Sequence, residues 1–189
     1  ILALDTATSS CSVAVTDDGN LCAELTTRKN QTHSKHLMTA IDSTLGLANF
    51  GVNELDGFAV TIGPGSFTGL RIGLAVAKGL ALPHKLAVVG VPTLETVAYP
   101  HKDNPTPVWA IAQAGRGRIL TASYGRKKRK WQLLTEPDLT TVDGLAKKIQ
   151  TPALCVGELD RDSAKLLQRK AKAQVVSPAA RLRRAGDPH

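Results

Sequence analysis

Hydrophobic and polar positions in the first half of the chain change their period in a regular order. Three short runs rich in β-branched residues open the sequence, and the Asp18-Gly19 pair before the third is typical of a hairpin turn. Apolar residues then recur at helical spacing, and further strand and helix signals follow. This pattern predicts strands at 1–5, 12–16, 21–26, 58–62 and 87–91, helices at 34–47 and 67–82, and a short helical segment after Pro92.

The second half repeats this order more weakly, after a proline-containing linker predicted at 100–107. Strands are predicted at 108–113, 119–124, 131–134, 153–156 and 174–176, and helices at 142–149 and 160–172. Two copies of one β-β-β-α-β-α order predict an α/β protein with two lobes, each with a mixed sheet and flanking helices. We expect an N-terminal lobe over residues 1–99 and a smaller, basic lobe over residues 100–189.

The most distinctive segment joins the fourth strand to its helix and reads Gly63-Pro64-Gly65-Ser66-Phe67-Thr68-Gly69-Leu70-Arg71. A glycine-rich turn between a strand and a helix often holds phosphate, but this one lacks the lysine and the spacing of a P-loop. Ser66 is the predicted N-cap of the helix that follows. The turn is therefore better explained by close packing around the start of the helix.

Small residues recur every four positions along this helix and leave one face almost free of side chains. They are Gly69, Gly73, Ala77 and Ala81. Each interior glycine costs about 1 kcal/mol of helix stability relative to alanine, so a closely packed backbone neighbour is expected to offset that cost. The residues leave open whether the neighbour belongs to the same chain or to another subunit.

Charge separates the two halves of the chain. Residues 1–97 carry a net charge of −2 and residues 98–189 a net charge of +10. The densest basic run is Arg126-Lys127-Lys128-Arg129-Lys130, between two predicted strands. Such a run attracts phosphate backbones, and it is equally typical of a solvated hairpin tip. An aromatic content of 4% argues against an extended base-stacking surface.

The cysteines and the absence of long apolar runs indicate the protein's environment. The predicted hairpin pairs residues whose numbers sum to 37, which places Cys22 opposite Val15 and excludes a disulfide to Cys11. With Cys155, the chain has three scattered cysteines, which favours reduced core thiols in a cytoplasmic protein. No apolar run reaches the length of a membrane helix and no signal peptide pattern is present, so we expect no membrane association.

The first half closely resembles the bacterial TsaB (YeaZ) family, within the actin, sugar-kinase and Hsp70 superfamily. The matching segments are residues 1–8 with 11–14, His33-Ser34 with Leu37, Ile41 and Asp42, residues 63–73 with 77–81, and residues 89–91 with Leu94-Glu95. The resemblance implies a duplicated ribonuclease-H-like fold of the actin-like ATPase superfamily. The second half matches poorly, and the closing helix with which family members usually end is expected to be absent.

Proteins of this family are subunits of the machinery that makes N6-threonylcarbamoyladenosine at position 37 of tRNAs reading ANN codons. The resemblance implies a non-catalytic subunit that binds and activates a TsaD-type catalytic subunit, works with a TsaE-type ATPase, and dimerises when alone. It implies tRNA contact through the complex, with Arg126, Lys127, Lys128, Arg129 and Lys130 as candidates for a direct contact. The expected partner interface consists of Leu37, Ile41, Gly69, Gly73, Ala77 and Ala81.

Two alternatives involve chemistry on this chain itself. Asp5, Thr6 and Thr8 stand where ATPases of the superfamily hold phosphate, which makes them candidates for a vestigial phosphate loop, with ATP or ADP at a subunit interface. An ATPase or small-molecule kinase would need a second phosphate loop, and residues 98–189 contain no Asp-x-Gly-Thr/Ser-type segment. A metallopeptidase is the third alternative, but His33 and His36 lack a third ligand, so no metal site is expected.

Overall fold

The computed structural model describes residues 1–8, 10–28 and 33–176, with the backbone alone at residues 28 and 33–35. The chain divides into two compact units, one over Ile1–Thr96 and a second that begins at Val97. The division lies close to the boundary that the sequence predicts. The expected absence of a closing helix concerns residues outside the described part.

The first unit contains a five-stranded mixed sheet with strand order β3-β2-β1-β4-β5. The central strand β1 pairs antiparallel with β2 and parallel with β4. The elements are β1 (Leu2–Asp5), β2 (Ser10–Asp17), β3 (Asn20–Arg28), α1 (His33–Ala48), β4 (Gly57–Gly63), α2 (Phe67–His84) and β5 (Ala87–Pro92). The boundary between the units lies within the next helix, α3 (Thr93–Ala98). A 3-10 turn at Val52–Glu54 precedes β4.

The second unit repeats this topology. Its sheet order, β10-β9-β6-β7-β8, is the order of the first sheet read from the opposite edge. The elements are β6 (Val108–Gln113), β7 (Ile119–Lys127), β8 (Lys130–Thr140), α4 (Val142–Lys148), β9 (Ala153–Gly157), α5 (Arg161–Lys170) and β10 (Ala173–Val175). A 3-10 turn at Tyr99–His101 comes before them. The predicted duplication of mixed sheets with flanking helices is therefore confirmed.

The core of the first unit lies between one face of its sheet and the inner sides of α1 and α2. Alternate strand residues point to this face because side chains alternate along a strand. The buried members include Leu2, Leu4, Val13, Val15, Phe58 and Val60 from the sheet and Leu37, Ile41 and Leu45 from α1. Both helices therefore lie on the same side of the sheet, which leaves their opposite sides facing outward.

The second unit has its own core, between its sheet and the helices α4 and α5. Cys155 lies within it, and burial raises the pKa of its thiol to about 12 because the thiolate would lose its hydration. Each helix begins at a side-chain cap. The Thr141 hydroxyl accepts from the Gly144 N–H at 3.1 Å, and an Asp160 carboxylate oxygen accepts from the Ser163 N–H at 2.7 Å. That bond lowers the pKa of Asp160.

The register of the first hairpin differs from the prediction by one residue over most of its length. A β-bulge between Val15 and Thr16 shifts the pairing, so Val15 lies opposite Ala23 and not Cys22. None of the three cysteines is in a disulfide, which confirms that Cys11 and Cys22 form no disulfide. The expectation of core thiols is wrong for Cys22, because it lies exposed on the edge strand β3.

The last strand of the second meander runs further than predicted. β8 continues to Thr140, six residues beyond the predicted end at Leu134. Pro137 lies inside this extension, and proline is compatible with an edge strand because its missing N–H faces away from the ladder. β8 is at the edge of its sheet. Among the described residues, no helix is long and apolar enough to cross a membrane.

Candidate functional site

The turn between β4 and α2 is attached to the segment that follows β1. The Gly63–Pro64 peptide bond is cis. The Ser66 N–H donates to the Ala7 carbonyl oxygen at 2.6 Å. The Ser66 hydroxyl oxygen accepts from the Gly69 N–H at 3.3 Å, which confirms Ser66 as the N-cap of α2. The side-chain cap of Ser66 and its hydrogen bond to Ala7 together fix where the helix begins.

Three glycines of this segment are required because the chain after β1 passes directly against them. A Cβ at Gly65 would overlap the Ala7 carbonyl oxygen, and one at Gly69 would overlap the Thr6 carbonyl oxygen. A Cβ at Gly73 would overlap the Thr6 hydroxyl group, which itself donates to the Gly69 carbonyl oxygen at 2.8 Å. The close neighbour that the helix glycines predict is therefore a segment of the same chain.

The predicted partner interface is wrong, because its residues face the sheet of their own unit. All six are buried in the first unit: Leu37, Ile41, Gly69, Gly73, Ala77 and Ala81. A period of four identifies one face of a helix, but it does not tell what lies against that face. The two glycines lie against the segment after β1, and the alanines belong to the core of the unit.

The opposite sides of α1 and α2 carry large exposed apolar side chains. Leu82 is 80% exposed, Leu47 72% and Phe67 67%, and Met38 is also exposed. Gly79 has open space where a Cβ would be, so the surface of α2 is smooth there. We call the surface formed by Met38, Leu47, Phe67, Gly79 and Leu82 the outer helix face. On α2 these side chains lie beside the exposed cations Arg71 and Lys78. Large apolar side chains exposed on two neighbouring helices, with polar residues around them, are typical of a protein-binding surface.

One signal in the sequence could have revealed the outer helix face. Alongside its stripe of small residues, α2 carries large apolar residues that include Phe67 and Leu82 on its other side. Large apolar residues on the exposed side of a helix, among polar ones such as Arg71 and Lys78, are typical of a surface that binds a partner. The guanidinium of Arg71 lies 3.7 Å from the centroid of the Phe67 ring. This cation–π contact places a cation directly against the Phe67 ring on the outer side of α2.

The predicted phosphate-loop residues are turned inward. An Asp5 carboxylate oxygen accepts from the Thr61 hydroxyl at 3.0 Å and from the Ala7 N–H at 3.1 Å. Thr6 is fully buried, and its hydroxyl is used in the bond to α2. Thr8 is buried as well. The role of Thr6 in phosphate binding is therefore a wrong prediction, because its hydroxyl group holds the strand against the helix.

A small cavity lies beside these residues in the first unit. Its volume is about 20 Å³, and Asp5, Thr61 and Thr96 supply its polar lining. A cavity of this size has room for about one water molecule, which such polar groups can hold. The cavity is thus a place for solvent next to the buried carboxylate of Asp5.

The basic run lies where the sequence predicts it, at the tip of the β7–β8 hairpin. Arg126, Lys127, Lys128, Arg129 and Lys130 are all exposed. Arg126 forms an ion pair with Asp103. We call residues 126–130 the basic hairpin. It belongs to the second unit, whereas the outer helix face belongs to the first.

The two histidines considered as metal ligands lie at the start of α1. His36 is exposed, and the side chain of His33 lies outside the described part. Within residues 1–8, 10–28 and 33–176, no group of three His, Cys, Asp or Glu side chains could hold a metal ion.

Comparison with known proteins places the fold and the sequence in one family. Residues 21–160 match the family model described as TsaD, tRNA N6-adenosine threonylcarbamoyltransferase. The TsaB protein of Escherichia coli, a tRNA threonylcarbamoyladenosine biosynthesis protein, is 39% identical over 130 residues, which are 67% of this chain and 55% of the relative. The Bacillus subtilis TsaB protein is 31% identical over 160 residues, 83% of this chain and 70% of the relative.

A solved structure shows the same architecture. YeaZ from Pseudomonas aeruginosa superimposes with a TM-score of 0.77 at 23% identity, covering 98% of this chain and 86% of that one. The actin-like, duplicated fold is confirmed. The chain spans only about half the length of the Escherichia coli relative, 55%. With its sequence relatives, its matching family model and its fold in agreement, the chain belongs to the TsaB (YeaZ) family.

Proposed function

We propose that this chain is a non-catalytic subunit of the machinery that adds threonylcarbamoyl to N6 of adenosine 37 in tRNAs reading ANN codons. It binds a TsaD-type catalytic subunit through the outer helix face and activates it. A TsaE-type ATPase joins the assembly, and two copies of the chain pair through the same face when the catalytic subunit is absent. The exposure of Phe67 and Leu82 is the observation that carries this proposal.

The geometry of the outer helix face favours a helical partner. α1 and α2 lie side by side on one face of the sheet, so their outer sides form one layer. A second layer of two helices would complete a four-helix packing. The family model that describes TsaD matches most of this chain, so a TsaD-type protein is expected to offer a related helix pair. Gly79 allows a partner side chain or backbone to come close to α2.

The role of Asp5 and Thr6 supports a subunit without chemistry of its own. In an enzyme of this fold, these residues would face a ligand. Here the Thr6 hydroxyl holds α2 through Gly69, and an Asp5 oxygen holds Thr61. The first bond holds α2, and hence the outer helix face, and the second holds β4, the strand that leads into α2. The residues at the end of β1 thus contribute to a rigid docking surface.

Reconstitution tests the proposal. The full chain is combined with a TsaD-type subunit, a TsaE-type ATPase, threonylcarbamoyl adenylate and an unmodified tRNA transcript, and N6-threonylcarbamoyladenosine is measured by mass spectrometry. We expect the product only when the chain is present, and much less of it with Leu82→Glu. The matched control is Gln168→Glu, which adds the same charge at an exposed position near the end of α5.

Two results would overturn the proposal. One is full product formation without the chain. The other is steady ATP turnover by the isolated chain that is lost on Asp5→Asn, which would instead make it an ATPase or kinase of this fold.

A further inference from the structure

The basic hairpin departs from the usual chemistry of its turn. Lys128 and Arg129 are the two central residues of a two-residue turn, with φ of 52° and 65°. Such a turn requires positive φ at both positions and favours Asn-Gly or Asp-Gly. The equivalent hairpin of the first unit follows this rule, with Asp18 at φ 46° and Gly19 at φ 78°. The second unit has two long cationic residues at these positions.

Lys128 and Arg129 at these turn positions are unfavourable for folding. A residue with a side chain in the left-handed region costs roughly 1–2 kcal/mol. In addition, Lys127 lies directly opposite Lys130 in the ladder, and like charges at opposed positions destabilise a hairpin. Backbone strain and charge repulsion retained together at a surface turn indicate a function outside folding.

The charge of the basic hairpin is largely uncompensated. Arg126 is paired with Asp103. In the part of the chain that the structure describes, the other four cations form no ion pair: Lys127, Lys128, Arg129 and Lys130. The charges therefore remain available to an anionic partner, and their mutual repulsion would fall when one binds.

The base of the hairpin is fixed by aromatic packing. Trp131, opposite Arg126 in the ladder, stacks on Tyr124 with ring centroids 5.9 Å apart and an angle of 10°. Tyr99 meets the same indole edge-on at 6.2 Å. A rigid base keeps the backbone of the hairpin in place, which lowers the entropy that binding would otherwise cost.

We infer that the basic hairpin inserts into a groove of a folded RNA and contacts the phosphates on both of its walls. Side chains alternate between the two faces of a strand, so Arg126 lies on one face of the ribbon, and Lys127 and Lys130 lie on the other. The ion pair of Arg126 with Asp103 is exposed on both sides and contributes little, so a phosphate can take the place of Asp103. Lys128 and Arg129 occupy the tip. A narrow ribbon with cations on both faces matches a cleft between two phosphate rows better than a flat acidic protein or a membrane surface.

The contacts are to phosphate, so binding depends strongly on salt and weakly on base sequence. The inference goes beyond the proposed function, which places the partner protein on the other unit.

The experiment measures the affinity of the full chain for a fluorescently labelled, unmodified tRNA transcript by anisotropy between 50 and 200 mM salt. The hairpin variant combines Lys127→Gln, Lys128→Gln and Arg129→Gln. We expect binding roughly tenfold weaker or more at low salt, with the slope of log K against log salt reduced by about two units. The matched control carries the same loss of charge at exposed positions around α5: Lys165→Gln, Arg169→Gln and Lys172→Gln. It should bind within about twofold of the unmodified chain.

A second variant separates function from folding. Lys128→Asn with Arg129→Gly provides the favoured residues for this turn, so we expect a higher melting temperature together with weaker RNA binding.

Equal loss of affinity in the hairpin variant and its control would overturn the inference. So would displacement of the RNA by anionic phosphatidylglycerol vesicles or by polyglutamate as readily as by unlabelled RNA. Complex formation with a TsaD-type subunit does not depend on this outcome.

Discussion

Helices α1 and α2 are 16 and 18 residues long, whereas α4 and α5, at the same places in the second unit, are 7 and 10 residues long. The outer sides also differ in chemistry. The outer helix face carries Phe67 and Leu82, while the exposed residues of α5 are charged or polar, among them Lys165 and Arg169. One topology thus supports two kinds of surface.

The difference shows that the duplicated fold determines where the helices lie but not what they face. Of the ten large hydrophobic residues that the structure describes as exposed, eight belong to the first unit and two, Leu134 and Leu139, to the second. α5 is amphipathic, with a buried side and a solvated side, which is what a helix without a partner requires. α2 also exposes Arg71, Lys78 and His84, but Phe67 and Leu82 lie among them, and an exposed apolar surface with polar residues around it is best explained by association.

The largest effect is expected from closing the space between α2 and the segment after β1. Gly69→Ala should lower the free energy of unfolding by about 2 kcal/mol, because its Cβ would overlap the Thr6 carbonyl oxygen. Gly79→Ala, on the outer side of the same helix, should raise it by up to about 1 kcal/mol, since the position is open and alanine favours a helix. Urea unfolding followed by circular dichroism measures both.

A fall in the free energy of unfolding for Gly69→Ala together with a rise for Gly79→Ala would sharpen the distinction between the inner and outer sides of α2. A Gly69→Ala variant as stable as the unmodified chain would break it, because the small residues would then not be needed for packing inside the unit.

A second prediction concerns the core of the second unit. Because burial raises the pKa of Cys155 to about 12, the folded state binds a proton that the unfolded thiol loses at lower pH. Stability from this group is complete below about pH 8.5 and is lost as the pH rises toward 12. Tryptophan fluorescence follows the unfolding of the second unit, because both tryptophans, Trp109 and Trp131, belong to it. Cys155→Ala should flatten the alkaline loss of stability, and an unchanged pH profile would contradict the account.

A smaller effect is expected at the start of α5. Asp160→Ala should cost about 1 kcal/mol, because the Ser163 N–H loses its cap. The lowered pKa of Asp160 means that its contribution is present above the ordinary value of about 3.9 and is lost as the pH falls below it. Asp160→Asn should keep the cap and remove this acid dependence. Unfolding followed by tryptophan fluorescence between pH 2 and 7 measures both. An acid dependence as large in Asp160→Asn as in the unmodified chain would refute the role of the carboxylate.

The sequence predicted most of the secondary structure because each helix and strand carries its own period. Ser66 was recognisable as a cap, since its residue type and its position before an apolar helix are local features. What Gly73 packs against is not a local feature, because its neighbour is Thr6, a residue far away in the sequence. No local period contains that information, so the stripe alone leaves open whether its neighbour belongs to the same chain or to another subunit.

The hairpin register and the outer helix face illustrate two further limits. A bulge between Val15 and Thr16 adds one residue to a strand, and alternation of apolar residues along a strongly buried strand does not reveal it. The exposure of Leu82 follows from which side of α2 packs on the sheet. Once Gly69 and Gly73 are known to face inward, the remaining apolar side of the helix must face outward.

The most direct test of the account is the affinity of the chain for a TsaD-type subunit, measured by isothermal titration calorimetry for the unmodified chain, Leu82→Glu and Gln168→Glu. Both substitutions add one negative charge at an exposed position two residues before the end of a helix. The account predicts roughly tenfold or greater weakening for Leu82→Glu and no change for Gln168→Glu. A folded Leu82→Glu chain that binds as tightly as the unmodified chain would contradict the outer helix face as the partner surface.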